Sequence, residues 1–131
     1  MTTTRRRRYE YRYRDNSCGV TRVSLEGMRK HLRKIGQPQV VRAYRFRSAR
    51  EYTEVTREAV LVKGTRGTAR FEGFCWGYGG EGPRGLRNLL LMLGVPIGVA
   101  ERVAFEKQRK DECGTDWEYE VPRECIPVWQ L

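Results

Sequence analysis

The chain has few of the residues on which catalysis and metal binding most often depend. Histidine occurs once, at His31, and the four cysteines form no C-x-x-C pair. A Ser/His/Asp triad needs a histidine beside a serine and a carboxylate, and a zinc site needs closely spaced ligands. The sequence therefore contains no recognisable catalytic constellation or metal site, and we expect neither an enzymatic function nor a cofactor.

Long apolar stretches are also lacking. The longest uninterrupted run is residues 89–93 (LLLML), far shorter than the roughly 20 residues of a bilayer-spanning helix. The arginines at positions 5–8 are not followed by the apolar segment of a secretory signal peptide. We therefore expect no membrane association and predict that the protein stays in the cytoplasm.

The length and composition predict one folded domain. At 131 residues, with 39% hydrophobic and 32% charged residues, the chain has enough apolar side chains for a single core and too many for a disordered polymer. Residues 1–7 offer no core side chains and are predicted to form a mobile basic arm. Residues 8–131 are predicted to form the domain.

Positive charge is concentrated at the front of the chain. Residues 1–50 contain 15 lysines or arginines and three acidic residues, a net charge of +12, whereas residues 51–131 have a net charge of −2. Such a one-sided field attracts polyanions, because each neutralised phosphate releases counterions regardless of base sequence. DNA or RNA is therefore the first partner we expect. A solvated basic surface, or a basic face that docks on an acidic protein, is the alternative.

The first predicted element is a strand. Residues 8–14 (RYEYRYR) alternate strictly between charged residues and tyrosines, which places the three rings on one face and the charges on the other. Tyrosines on a basic strand could stack on unpaired bases, and such a face could equally belong to the core.

An amphipathic helix follows. Ser24 is suited to be its N-cap, apolar residues recur at helical spacing, and Gly36 and Pro38 predict an end at about Ile35. The side opposite the apolar stripe is cationic. The residues predicted to bind nucleic acid are Arg5, Arg6, Arg7, Arg8, Arg12, Arg14, Arg29, Lys30, Arg33 and Lys34.

The rest of the chain alternates between strand and helix patterns. Strands are predicted at 39–47, 59–62, 68–76 and 116–121, helices at 83–93 and 98–110, and the stretch 48–56 favours both structures. A turn at 64–67 predicts a hairpin. These elements predict an α+β domain in which an antiparallel sheet of about five strands is covered by two or three helices.

The most distinctive segment is glycine-rich and spans residues 74–86 (FCWGYGGEGPRGL), with a helix predicted to begin at Pro83. It lacks both G-K-[ST] and G-x-G-x-x-G, and Glu81 would place a carboxylate where an anion should bind. We interpret it as a tight turn that uses positive φ, for example at Gly79 or Gly80. The alternative is a ligand or partner loop formed by Trp76, Tyr78, Gly79, Gly80 and Arg84.

The pattern W-G-Y-G-G-x-G-P-x-x-L, here Trp76 to Leu86, resembles the core segment of a small family of bacterial, plasmid and phage proteins of unknown function. Members continue with an apolar helix and an aromatic-bearing tail, which residues 86–93 and 117–129 would match. Members usually carry a small residue where Glu81 stands, and the arginine-rich front has no counterpart. The resemblance implies a phage or mobile-element setting and supplies no catalytic residues.

Two functional hypotheses follow. The first is an accessory, sequence-nonspecific nucleic-acid-binding protein of phage or mobile-element type. The alternative is a protein-interaction module that binds a host protein machine and could inhibit it. A homodimer is a further hypothesis, because the helix at 83–93 is apolar over most of its circumference and the acidic strand at 116–121 could dock on the basic front of another copy.

Overall fold

The domain consists of a five-stranded sheet with helices packed on one face. The computed structural model describes residues 10–50, 53–110 and 112–131, so the predicted arm at 1–7 lies outside the described residues. In chain order the elements are β1 (Tyr11–Arg14), α1 (Thr21–His31), β2 (Pro38–Arg50), β3 (Thr53–Gly64), β4 (Gly67–Phe71), α2 (Glu81–Met92), α3 (Ile97–Glu101) and β5 (Gly114–Glu120). Short 3₁₀ segments lie at Leu32–Ile35 and Val128–Gln130, and one π-helical turn, Arg102–Glu106, extends α3.

The strands are ordered β1-β4-β3-β2-β5. This confirms the predicted α+β fold with five strands. One pair departs from the predicted antiparallel arrangement, because β1 runs parallel to β4 and the sheet is mixed. The cause is the helix: α1 carries the chain back after β1, so that β2 starts in the same direction, and two successive hairpins then give β4 that direction too.

The core lies between the sheet and the helices. Six side chains of the central strands that face the helices are fully buried, namely Val41, Ala43, Val60, Val62, Ala69 and Phe71. They form one cluster with Leu86, Leu89 and Leu90 of α2 and with Leu93, which directly follows it. Most positions between them, such as Arg42, Leu61 and Arg70, are exposed or half-buried, and Ala59 is fully buried. None of the described helices covers this second face of the sheet.

Helix α1 begins earlier than predicted. Val20 is its N-cap and makes no side-chain capping hydrogen bond. Ser24, the predicted N-cap, is buried inside the helix, where its hydroxyl hydrogen-bonds to the Asp15 carboxylate and accepts a bond of 2.9 Å from the Gly73 N–H. That prediction is wrong because the hydroxyl has tertiary partners. The predicted end at Ile35 is confirmed by the 3₁₀ segment.

Other boundaries also shift. Of the ambiguous stretch 48–56, residues 48–50 end β2 and residues 53–56 begin β3, and the strand predicted to reach position 76 ends at Phe71. Helix α2 begins at Glu81, so Pro83 is its third residue; the first turn still tolerates proline, because its N–H groups have no partner within the helix. The helix predicted at 98–110 ends at Glu106.

Strand β5 contains a bulge at Asp116. Its neighbour Trp117 pairs with Ala43, whereas Thr115 pairs with Tyr44, so Asp116 has no opposite residue. A bulge turns two consecutive side chains to one face, and both Asp116 and Trp117 are buried. The predicted alternation, which placed Asp116 on the acidic outer face, is therefore wrong at this residue.

None of the helices in the described part of the chain is long and apolar enough to cross a membrane.

Candidate nucleic-acid interface

We call the sheet face opposite the helices the open face. The register between the strands shows which side chains lie on it, and the contacts of Glu72, which directly follows β4, place this residue there too. The members are Arg12, Arg14, Val40, Arg42, Tyr44, Phe46, Arg57, Leu61, Lys63, Thr68, Arg70, Glu72, Glu118 and Glu120.

Two rows of side chains cross the open face. From β1 to β5, one row is Arg14, Arg70, Leu61, Arg42 and Glu118. The next row is Arg12, Thr68, Lys63, Val40 and Glu120. Neighbouring strands are about 4.8 Å apart, so the five cations of these rows come from strands within roughly 15 Å of one another. Both glutamates of these rows lie on β5, and Glu72, the third glutamate of the open face, is paired with Arg70 and Arg57, so the exposed positive charge is greatest on the β1 side.

Two aromatic rings lie next to these cations. Tyr44 and Phe46 are half-buried, with ring centroids 6.1 Å apart and planes inclined by 44°. The Arg70 guanidinium carbon is 4.8 Å from the Phe46 centroid and 5.6 Å from that of Tyr44, which is the geometry of a cation–π contact. We call Tyr44, Phe46 and Arg70 the aromatic cluster.

Arg70 is fixed in place by polar partners. Its Nε donates to the Tyr44 hydroxyl and its Nη1 to the Glu72 carboxylate, which also lies 3.5 Å from Arg57. Burial by itself disfavours the charge, but the hydrogen bonds with Tyr44 and Glu72 outweigh it and raise the pKa of Arg70 above its usual value. The guanidinium therefore stays charged and oriented on the open face.

The structure separates the cations that the sequence grouped together. Arg12 and Arg14 lie exposed on the open face, beside Arg42, Lys63 and Arg70. Four others are exposed on α1 and its 3₁₀ extension, on the helical side of the sheet; these helical cations are Arg29, Lys30, Arg33 and Lys34. Arg5, Arg6, Arg7 and Arg8 lie outside the described residues.

The tyrosines of β1 face the core side. The Tyr13 ring stacks on His31 with centroids 4.0 Å apart and lies 5.8 Å from Phe71. The interpretation of this face as part of the core is therefore the correct one for Tyr13, and stacking of bases on it is not supported. The aromatic rings of the open face are on β2, which the sequence reasoning missed.

His31 sits between β1 and the helical cations. Its Nδ1 lies 2.5 Å from the Tyr11 hydroxyl, which donates to it when the ring is neutral. Burial lowers the pKa of His31, and the charges of Lys34 and Lys30 lower it further. Because the unfolded chain takes up this proton at a higher pH, the stability contributed by neutral His31 is present above about pH 6.5 and is lost as the pH falls through the folded pKa.

This single histidine reports on the helical cations. We expect its NMR titration to give a pKa below about 6.5, and the double change Lys30→Gln and Lys34→Gln to raise that value. Bound phosphates near the helical cations would also raise it, whereas nucleic acid on the open face should leave it nearly unchanged. An increase of about one unit on addition of nucleic acid would assign binding to the helical side instead.

The predicted ligand loop is largely structural. Trp76 is fully buried, and its Nε1 donates to Asp116 at 3.0 Å. Arg109 holds the loop by donating to the Trp76 carbonyl at 3.0 Å and by pairing with Glu58 at 2.7 Å. Tyr78 is 48% exposed. Its hydrogen bond with the Cys75 thiol, together with burial, raises the pKa of Tyr78 to about 12.

The positive φ that the sequence predicted occurs at a different glycine. Gly77 has φ +90°, whereas Gly80 is extended at φ −167° and Gly79 is not among the positive-φ glycines. The prediction for Gly79 and Gly80 is therefore wrong. The left-handed residue is Gly77, directly after the buried Trp76, and its N–H donates to the Ala104 carbonyl at 2.9 Å. Arg84 is exposed on α2.

A cavity of about 270 Å³ lies beside this loop, and Glu58, Glu72, Cys75 and Tyr78 are among its lining residues. Across the ranges that the structure describes, no group of three or more His, Cys, Asp or Glu side chains is placed to hold a metal ion. The cavity therefore offers less defined chemistry than the open face.

Comparison of the chain with protein-family models, curated proteins and solved structures finds no match. The resemblance carried by residues 76–86 therefore stays a prediction. A functional assignment has to rest on the geometry of the described residues.

Proposed function

We propose that the protein binds nucleic acid without sequence preference through the open face. The observation that carries the proposal is the placement of five cations in two adjacent rows, next to two aromatic rings, on a sheet face that none of the described helices covers. Arginine and lysine neutralise phosphates, and such backbone contacts carry no direct sequence information. DNA and RNA are both compatible with this chemistry.

The distribution of acidic residues supports one side of the open face as the binding track. Glu118 and Glu120 lie on β5, and Glu118 is 3.6 Å from Arg42. Towards β1, Arg12 and Arg14 are exposed, and Arg12 makes a long ion pair of 3.8 Å with Glu10. Exposed pairs of this kind contribute about 0–1 kcal/mol, so a polyanion can replace them.

The salt dependence of binding tests the proposal. For a labelled single strand, we expect the logarithm of the association constant to fall with the logarithm of salt concentration with a slope of about −2.8, because the four exposed cations of the two rows each neutralise one phosphate at about 0.7. This corresponds to roughly a 50-fold loss of affinity between about 50 and 200 mM salt. Fluorescence anisotropy with oligonucleotides of equal length and different sequence measures both the slope and the lack of sequence preference. Absence of binding at low salt, or an affinity that salt does not change, would contradict the proposal.

The wider setting proposed for the protein rests on the sequence. We propose a cytoplasmic location, and a phage or mobile-element origin that the resemblance of residues 76–86 supports. A host protein as partner is the hypothesis that would remain if no nucleic acid binds. Homodimer formation also stays a prediction.

A further inference from the structure

The aromatic cluster is placed where the bases of a bound strand would lie. Tyr44 follows Arg42 by two positions along β2, so its Cα lies about 7 Å along the strand from the row of cations that contains Arg42, Arg70 and Arg14. A strand whose phosphates follow that row can turn its bases towards Tyr44 and Phe46. Both rings are half-buried, and none of the described helices covers them.

The cluster is also held in one arrangement before any ligand binds. Arg70 is bonded to the Tyr44 hydroxyl and to Glu72, and its guanidinium lies against the Phe46 ring. A fixed surface loses little conformational entropy on binding. Bases stack on aromatic rings and on guanidinium planes alike, so all three side chains can contribute to one surface.

We infer that the open face prefers single-stranded nucleic acid, whose unpaired bases stack on the aromatic cluster. The inference rests on the proposed function and specifies its ligand. In a duplex both faces of each base are covered by neighbouring base pairs, so only the phosphates would reach the sheet. In a single strand the base faces are accessible, and stacking adds to the phosphate contacts.

Three probes of about 12 nucleotides, a length within the usual range of single-strand sites, test this inference. They are oligothymidylate, an abasic strand with the same number of phosphates, and a duplex. We expect the parent protein to bind oligothymidylate at least about 10-fold more tightly than the abasic strand, since stacking of a single base contributes roughly 5- to 150-fold. Phe46→Leu should reduce or remove this preference, because it removes one of the two rings and leaves the exposed cations of the two rows in place.

Tyr78→Leu provides a matched control, because it removes a partly exposed ring outside the open face. It should keep the preference for oligothymidylate, and melting curves verify that both variants fold. Equal affinity of the parent for oligothymidylate and the abasic strand, or tighter binding of the duplex, would overturn the inference and leave the proposed function standing. Failure of the parent to bind any of the three probes would instead contradict the proposed function. The parent comparison decides the matter even if Phe46→Leu does not fold.

Discussion

Replacement of Gly77 by valine is expected to lower the free energy of unfolding by about 3 kcal/mol or more, because two penalties combine. The residue has φ +90°, which a β-branched side chain rarely adopts. A Cβ atom there would also lie 2.6 Å from Cγ of Arg109 and 2.8 Å from the Lys107 carbonyl oxygen. The arginine can move, but the carbonyl belongs to the backbone.

Gly79→Val is the control for this change. A Cβ at Gly79 would meet nothing within 4 Å, and the residue is not among those with positive φ, so we expect a decrease in stability below about 1 kcal/mol. Denaturant unfolding of both variants measures the difference. Similar decreases at the two positions would show that the loop has no special requirement for glycine at Gly77.

The strands and helices could be predicted because their patterns are local. Alternation along residues 8–14 and 116–121, and helical spacing of the leucines in 86–93, depend only on neighbouring residues, and each of these segments contains the element that was expected. The exceptions depend on distant partners. Ser24 is buried because Asp15 and Gly73 bind its hydroxyl, and Asp116 turns inward, where it accepts a hydrogen bond from Trp76.

One part of the open face could be predicted and the rest could not. The strand pattern correctly separated Arg12 and Arg14 from Tyr11 and Tyr13. On β2, by contrast, residues 42–47 (RAYRFR) offer apolar or aromatic side chains on both faces. Hydrophobicity alone would bury the larger rings and expose the arginines.

The register of β2 reverses that expectation. Ala43 is the position that faces the core, so the alternation carries Arg45 to the helical side and leaves the rings of Tyr44 and Phe46 on the open face. Arg45 is accommodated there by an ion pair of 3.9 Å with Glu58, a residue 13 positions further along the chain. The pattern of a single sequence does not reveal that Arg45 pairs with such a distant residue.

Two quadruple variants distinguish the open face from the helical side. The open-face variant changes Arg12, Arg14, Arg42 and Lys63 to glutamine, and the helical variant changes Arg29, Lys30, Arg33 and Lys34 to glutamine. All eight residues are exposed, so both variants should fold. Each variant carries four fewer positive charges than the parent, so the net charge falls equally and any difference in affinity reflects position.

We expect the affinity of the open-face variant at low salt to fall by roughly 100- to 1,000-fold, because each of the four lost cations contributes about 1 kcal/mol of binding energy at an anionic surface. Its salt slope should become shallower by up to about 0.7 for each phosphate that the variant no longer neutralises. The affinity of the helical variant should fall by less than about 10-fold, since its charges lie on the other side of the sheet and act on a strand bound to the open face only at long range.

The most direct measurement of where the protein binds nucleic acid is the pair of dissociation constants of these two variants for one labelled single strand in the same low-salt buffer. Binding through the open face predicts that the open-face variant is the weaker by at least about 10-fold and has the shallower salt slope. An equal decrease in the affinity of both variants, or a larger decrease in the affinity of the helical variant, would contradict binding through the open face.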